Sequence, residues 1–200
     1  LLGRVQTTLD RDAMRLLIEG RRILVTGAGG SIGTELVRQI CAFEPDRLAL
    51  VDQSEFGLYS VDMEVARSNP DLERRAVIAD VRERARIDWI IEQEAPELVF
   101  HAAALKHVPL VETNPFEGVM TNVIGTVNMA DACVRHGVGA MVLVSTDKAV
   151  NPTSIMGASK RLAEIYCQAL DLAGEAANRT QIVTVRFGNV LGSTGSVVPL

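Results

Sequence analysis

Six short apolar runs, at 22–26, 47–52, 75–79, 98–101, 140–145 and 182–186, alternate with five segments of helical periodicity at 31–42, 54–68, 83–94, 115–136 and 154–173. The runs are continuously apolar rather than alternating, as expected of strands covered on both faces. Strands that alternate with helices at this spacing predict an α/β chain, a doubly wound parallel sheet. The helix ends are punctuated: Asn114-Pro115 offers an N-cap with proline in the first turn, and Gly137 follows His136 as a stop. Ahead of the first strand, Asp10 to Glu19 makes a short amphipathic helix with Met14, Leu17 and Ile18 on one face, ended by Gly20. The expected division is a lead-in helix over 1–20 and one nucleotide-binding domain over 21–200. With 48% hydrophobic residues, 200 residues suffice for one full core.

The first strand runs into Thr26-Gly27-Ala28-Gly29-Gly30-Ser31-Ile32-Gly33, and a helical pattern begins at once with Thr34, Glu35, Leu36, Val37 and Ile40. Strand, tight turn and helix in this order aim unpaired N–H groups and the positive end of a helix dipole at a phosphate. Gly27 permits the turn, Gly30 lets phosphate approach the backbone, and Gly33 lets helix and strand pack closely. The second run ends in Asp52, 19 residues after Gly33, where a carboxylate can bond an adenosine ribose. This predicts a Rossmann-type dinucleotide fold; an ordinary strand–helix turn without ligand is the competing reading. The residues that follow, Gln53, Ser54 and Glu55, include no arginine, which favours NAD over NADP.

In such a sheet ligands sit beyond the carboxyl ends of the strands. The apolar runs close with polar residues at those ends: Thr26, Asp52, Asp80, His101, Ser145 and Arg186. Asp80-Val81 can meet an adenine edge by side chain and backbone, while Asp80 alternatively caps the helix over 83–94. Ala102, Ala103 and Ala104 are small enough for a cofactor to lie against backbone. His101 reads as a satisfied core histidine, and Lys106 with His107 as a loop overhanging the nicotinamide end.

Several classes are disfavoured. A net charge of −5 argues against a nucleic-acid or anionic-membrane surface. Cys41, Cys133 and Cys167 form no C-x-x-C pair and sit in apolar helical patterns, so they read as buried thiols. No metal site is expected, and no apolar stretch nears the roughly 18 to 20 residues of a membrane helix. The chain begins Leu1-Leu2 and stops at Pro199-Leu200 after a Gly/Ser-rich loop, so it reads as a piece truncated before the substrate-binding part.

The fifth run ends Ser145-Thr146-Asp147-Lys148, and the next helix opens Met156-Gly157-Ala158-Ser159-Lys160. With Val25 through Gly33, His101 through Val108 and Arg186 through Val198, these stretches resemble the extended short-chain dehydrogenases/reductases. Within that group the chain is most similar to the UDP-N-acetylglucosamine 4,6-dehydratases of bacterial polysaccharide biosynthesis. The resemblance implies a lyase that oxidises the sugar C4 hydroxyl with NAD (or NADP), removes the C5 proton, expels water from C6 and returns the hydride. It assigns Lys148 as the C5 base and Asp147 as the acid at the C6 oxygen, an adjacent acid–base pair. It implies cofactor contacts from Gly27, Gly30, Ser31, Ile32, Gly33, Asp52, Gln53, Ser54, Asp80, Val81, Ala102 to Ala104, Asn122 and Lys160. Substrate contacts would come from Lys106, Asn189 and Ser196.

The superfamily's usual Tyr-x-x-x-Lys reads Met156-x-x-x-Lys160 here, and a thioether cannot act as a base. Tyr166 lies ten residues on, roughly 15 Å along a helix. The C4 proton acceptor is therefore open among Thr146, Asp147 and Lys148. The large membrane-anchored branch of the family shows the same methionine, and Leu1-Leu2-Gly3-Arg4 resembles the segment preceding its catalytic part. That implies a parent protein on the cytoplasmic face of a bacterial inner membrane, anchored only through a preceding region. A UDP-sugar partner, no nucleic acid and a possible homo-oligomer follow from the same likeness. A sugar 4-epimerase and a redox-silent dinucleotide-binding module are the alternatives.

Overall fold

The computed structural model describes residues 10–173 and 180–190. Asp10 caps α1 (Arg11–Ile18) by accepting the Ala13 amide at 3.0 Å. Met14 and Ile18, four residues apart, share the face that packs on the core. Leu17 does not join them: it lies about 100° round the helix from Ile18 and stays exposed.

The chain continues through β1 (Arg22–Thr26), α2 (Ser31–Cys41), β2 (Arg47–Asp52), α3 (Glu55–Ser68), β3 (Glu73–Ile78), α4 (Arg84–Glu94) and β4 (Leu98–His101). Then come α5 (Val108–Thr113), α6 (Pro115–Val119), a π-turn over Met120–Ile124, and α7 (Gly125–Arg135). The last elements are β5 (Ala140–Thr146), a 3₁₀ turn at Asp147–Ala149, α8 (Ile155–Ala173) and β6 (Gln181–Phe187). All six strands pair in parallel in the order β3-β2-β1-β4-β5-β6. This is the expected doubly wound sheet. The winding reverses between β1 and β4, where Thr26 and His101 pair in register, so the ligand crevice opens above them.

The sheet separates two cores. Ile23, Val25, Leu48 and Leu50 face Val37 and Ile40 of α2 and Leu58, Val61 and Val65 of α3. On the other side Leu24, Val51, Val99, Met141 and Leu143 face Ile87, Ile90 and Ile91 of α4, Met129 of α7 and Ala163 of α8. Double coverage fails at the margins. β5 alternates, with Met141, Leu143 and Ser145 buried and Val142 and Val144 only half-buried, because its second face lacks a covering helix among the described residues. β3 and β6 are edge strands and largely exposed. β3 also starts two residues earlier than its apolar run: Glu73 and Arg74 pair in register with Arg47 and Leu48 of β2, and the Glu73 carboxylate meets Arg47 Nε at 3.2 Å.

Three local expectations are corrected. The helix expected over 115–136 is interrupted by the π-turn, and α5, a helix the sequence pattern did not announce, precedes it. Asn114 makes no N-cap bond; its side-chain amide donates to Leu110 O at 2.9 Å, closing α5 instead of opening α6. Asp80 does not cap α4, whose N-cap is Glu83. Gly20 and Gly137 do end their helices in the left-handed region, at φ of 66° and 67°. The three cysteines are buried and free. No described helix is long and apolar enough to cross a membrane.

Candidate active site

At the glycine turn Gly27 adopts φ 66°, and a Cβ there would lie 2.6 Å from the Ala103 amide nitrogen. At Gly33 a Cβ would come within 1.9 Å of the Gly27 carbonyl oxygen, so α2 can seat on the turn only with glycine there. Gly30 is the N-cap of α2, and no side-chain hydrogen bond caps that helix start. Asp52 is more committed than the sequence suggests. Its Oδ2 accepts the Gly29 amide at 2.9 Å and its Oδ1 the Ser54 amide at 2.8 Å, so the carboxylate braces the turn it was expected only to flank. A carboxylate has about four acceptor sites, so room remains for ribose hydroxyls.

A cavity of about 220 Å³ opens at this end, between Gly27–Gly30, Asp52–Ser54 and Asp80–Val81, with Ala102 to Ala104 behind. Asp80 accepts the Arg82 amide at 2.9 Å and Arg82 Nε at 2.7 Å. Burial pushes its carboxyl up, but the Arg82 bonds outweigh that and hold it below the ordinary range.

A second cavity, of about 390 Å³, shares Ala102 and Ala104 with the first. Ile32 and the Leu105–Pro109 segment form one side, including exposed Lys106 and His107; the end of β5 and Lys148 form the other. Met156 and Lys160 of α8 lie within it, and Phe187 to Val190 close a further wall. Lys160 is only 4% exposed and has no hydrogen-bond partner among the described residues. Burial lowers its pKa to about 8. Tyr166, by contrast, donates its hydroxyl to Asp131 and is pushed up to about 12, by burial first and Asp131 second. It is no substitute for the missing phenol.

Lys148 Nζ donates to Asp147 Oδ1 at 3.1 Å and to Asn189 Oδ1 at 2.9 Å, so three expected residues do meet. The Thr146 hydroxyl donates to the same Asp147 oxygen at 3.0 Å. Lys148 first, then Thr146, holds Asp147 below the ordinary carboxylate range. Thr146, Lys148 and Asn189 line the second cavity, whereas Asp147 is exposed and is not among its lining residues.

One expected cofactor contact spends its side-chain hydrogen bonds within the protein. Asn122, fully buried, accepts the Leu105 amide at 2.8 Å and donates to Leu105 O and Ser159 Oγ, so it pins the loop and lines neither cavity. Ser31 and Gly33 likewise line neither cavity, and Ser196 lies outside the described residues. His101 is the satisfied core histidine expected: its ring bonds Thr26 at 2.7 Å and Thr126 at 3.1 Å. Because the Thr126 hydroxyl donates to Asn122 O, it must accept from His101 Nε2–H, which assigns the tautomer from the network. Burial holds this imidazole neutral, at about 3.

Sequence reasoning missed Glu164. It is fully buried and accepts from Ser145 Oγ at 2.6 Å and from both arms of Arg186 at 2.8 and 2.6 Å, tying the ends of β5 and β6 to α8. Burial pushes its pKa up, yet Arg186, Ser145 and Arg161 hold it near 2. The signal was present: residues 156, 160, 163 and 167 mark the buried stripe of α8, and 164 falls inside it.

Residues 23–200 match the family model described as polysaccharide biosynthesis protein. The chain is 45% identical to the capsular polysaccharide biosynthesis protein CapD of Staphylococcus aureus, across all of this chain and 33% of CapD. It is 35% identical to a UDP-N-acetylglucosamine 4,6-dehydratase (inverting) of Campylobacter jejuni, over 92% of this chain and 53% of that one. Other relatives carry the name UDP-glucose 4-epimerase. Among solved structures, a double mutant of the dTDP-glucose 4,6-dehydratase DesIV of Streptomyces venezuelae, with NAD bound, superposes with a TM-score of 0.69 at 26% identity. That match covers 82% of this chain and 55% of DesIV. The chain thus spans a third to about half of the length of these proteins.

Proposed function

The chain belongs to the polysaccharide biosynthesis protein family of nucleotide-sugar-modifying enzymes, and on that premise we propose that it is the NAD-binding part of a 4,6-dehydratase acting on UDP-N-acetylglucosamine. The observation that carries the proposal is Lys148, held between Asp147 and Asn189 at the wall of the cavity that also contains Lys160. The pair is itself exposed, but Lys148 stands on the rim of the cavity that holds the buried Lys160.

The residues present fit NAD. The turn at Gly27 and Gly33 leaves no space for a side chain, and the adjoining cavity carries Asp52 and Asp80 as acceptors. Lys160 offers an amine, short of partners, to ribose hydroxyls at the other end. Bound there, NAD would supply the acceptor for the C4 hydride and its donor at C6.

The remaining work falls to three side chains. Thr146 lines the cavity and already donates to Asp147, so a proton from the C4 hydroxyl can pass through Thr146 onto the Asp147 carboxylate. Asp147, ionised in this state, is thereby loaded as the acid, and the same Thr146 hydroxyl at the cavity wall hands the proton on to the departing C6 oxygen. Lys148 takes the C5 proton and later returns it. The C4 proton leaves in the expelled water, and both groups end as they began. This relay does without the phenol that Met156 replaces.

A 4-epimerase, the name several relatives carry, needs only the first oxidation and its reversal, with no acid–base pair at C5 and C6. Incubating the full-length protein with UDP-N-acetylglucosamine and weighing the product separates the two. Loss of one water is expected; a product of unchanged mass with altered C4 configuration would replace the dehydratase reading with the epimerase one. In the same assay Lys148→Ala is expected to slow dehydration by about 10²- to 10⁴-fold while NAD affinity stays near wild type. Wild-type turnover would remove Lys148 from the mechanism.

A further inference from the structure

Beyond the turn and the acid–base pair, the adenosine end of the crevice carries an arginine with no role so far. Arg82 follows Asp80-Val81, and its Nη2 and Nε reach Asp80 Oδ2 at 2.6 and 2.7 Å while its own amide reaches Oδ1 at 2.9 Å. Its Nη1 meets Glu117 of α6 at 2.6 Å. From α7 the Asn128 side-chain amide donates to the carbonyls of Val81 and Arg82, each at 3.0 Å. The lip after β3 is therefore tied down from two helices. Asp80 and Val81 of this lip line the smaller cavity.

The chemical consequence concerns Asp80. An ionised aspartate can only accept, and the three bonds from Arg82 fix its rotation, so the acceptor is held in one place. The neighbouring Val81 amide has no hydrogen-bond partner among the described residues and can only donate. A fixed acceptor beside an open donor complements an adenine edge, which offers an amino donor at C6 and an acceptor at N1. Hypoxanthine presents the reverse at both positions: a carbonyl oxygen at C6 and an N–H at N1.

We propose that Arg82, braced by Glu117, is a positioning residue that locks Asp80 as an acceptor and thereby selects an adenine base over its deaminated counterpart. The inference rests on the dinucleotide-binding reading above. It adds to it the residue that sets base specificity.

The test compares binding of NAD and of nicotinamide hypoxanthine dinucleotide by calorimetry, on this chain and on the full-length protein. Wild type should prefer NAD by about 10- to 100-fold, the cost of leaving a buried polar group unpaired. Arg82→Gln should bring the ratio toward one, and Arg82→Lys, which keeps the charge but not the fork, should recover only part of it. A merely structural arginine would weaken both dinucleotides equally and leave the ratio untouched. That result overturns the proposal. Should Arg82→Gln fail to melt cooperatively, Glu117→Ala decides: it removes the acceptor that holds Arg82 against Asp80, so the ratio must fall, and an unchanged ratio overturns the proposal. Wild type that binds both dinucleotides equally sinks this inference alone. Wild type that binds neither sinks the dinucleotide reading with it.

Discussion

Lys160, a residue only 4% exposed whose amine has no hydrogen-bond partner among the described residues, costs the fold free energy when charged. Its pKa is about 8 in the folded chain against 10.5 as the ordinary value, with burial the main cause. Between those two values the unfolded chain holds more protons, so stability rises with pH across that window, and below about pH 8 the full penalty applies. At 1.36 kcal/mol per pKa unit the penalty is roughly 3 kcal/mol. Lys160→Met is therefore expected to be more stable than wild type in urea at pH 7, by about 1–3 kcal/mol. The gap should close toward pH 10.5, and NAD binding should weaken. No gain at pH 7 would show that the amine is solvated in a way the fold does not suggest. At the other end of the crevice, Asp52 sits between the Gly29 and Ser54 amides and lines the smaller cavity. NADP is expected to bind at least about tenfold more weakly than NAD, since a 2′-phosphate would meet that carboxylate. Tighter NADP binding by calorimetry would discard this role for Asp52.

Among the elements, the stretch from α6 through the π-turn to α7 does the most to place the site. A π-turn inserts one extra residue into the helical ladder. Here it brings Thr121, Asn122 and Val123 inward, all buried. Asn122 then holds Leu105 by both amide and carbonyl and reaches Ser159 on α8, so one side chain fixes the loop carrying Lys106 against the helix carrying Met156 and Lys160. Asn122→Ala should cost about 1–3 kcal/mol for the stranded partners. Hydrogen exchange at the Leu105 amide should accelerate well beyond that global loss. Exchange that tracks global stability alone would mean the loop is anchored elsewhere. The Glu164 cluster does the corresponding work for the opposite wall, joining the ends of β5 and β6 to α8.

At the scale of the molecule, the two cavities draw on the chain unequally. The smaller one takes its walls from the ends of β1, β2, β3 and β4 and from Thr121, all within residues 27–121. Among the described residues, the larger one has Phe187 to Val190 for one of its walls. This chain alone is expected to bind NAD but to turn over nucleotide sugar far more slowly than the full-length protein. Contacts to the UDP moiety orient the sugar, so their loss lowers rate as well as affinity. Comparable kcat/KM for the two in a steady-state assay would show that the sugar site lies wholly within these 200 residues.

What the sequence determined by itself was whatever depends on spacing along the chain. Strand and helix periods gave the doubly wound sheet, and the glycine spacing gave the turn at Gly27 and the close seat of α2 at Gly33. A ten-residue separation was enough to remove Tyr166 from the chemistry, and adjacency was enough to pair Asp147 with Lys148. Only the tertiary structure decided where polar side chains spend their hydrogen bonds. Asp52 turned to Gly29, Asn122 to Leu105, Arg82 to both Asp80 and Glu117, and Glu164 to Arg186. A strand's apolar pattern fixes which face it buries, but a carboxylate or amide is satisfied by any partner that packing brings within about 3 Å. Those partners lie between 2 and 35 residues away, at distances no local period encodes.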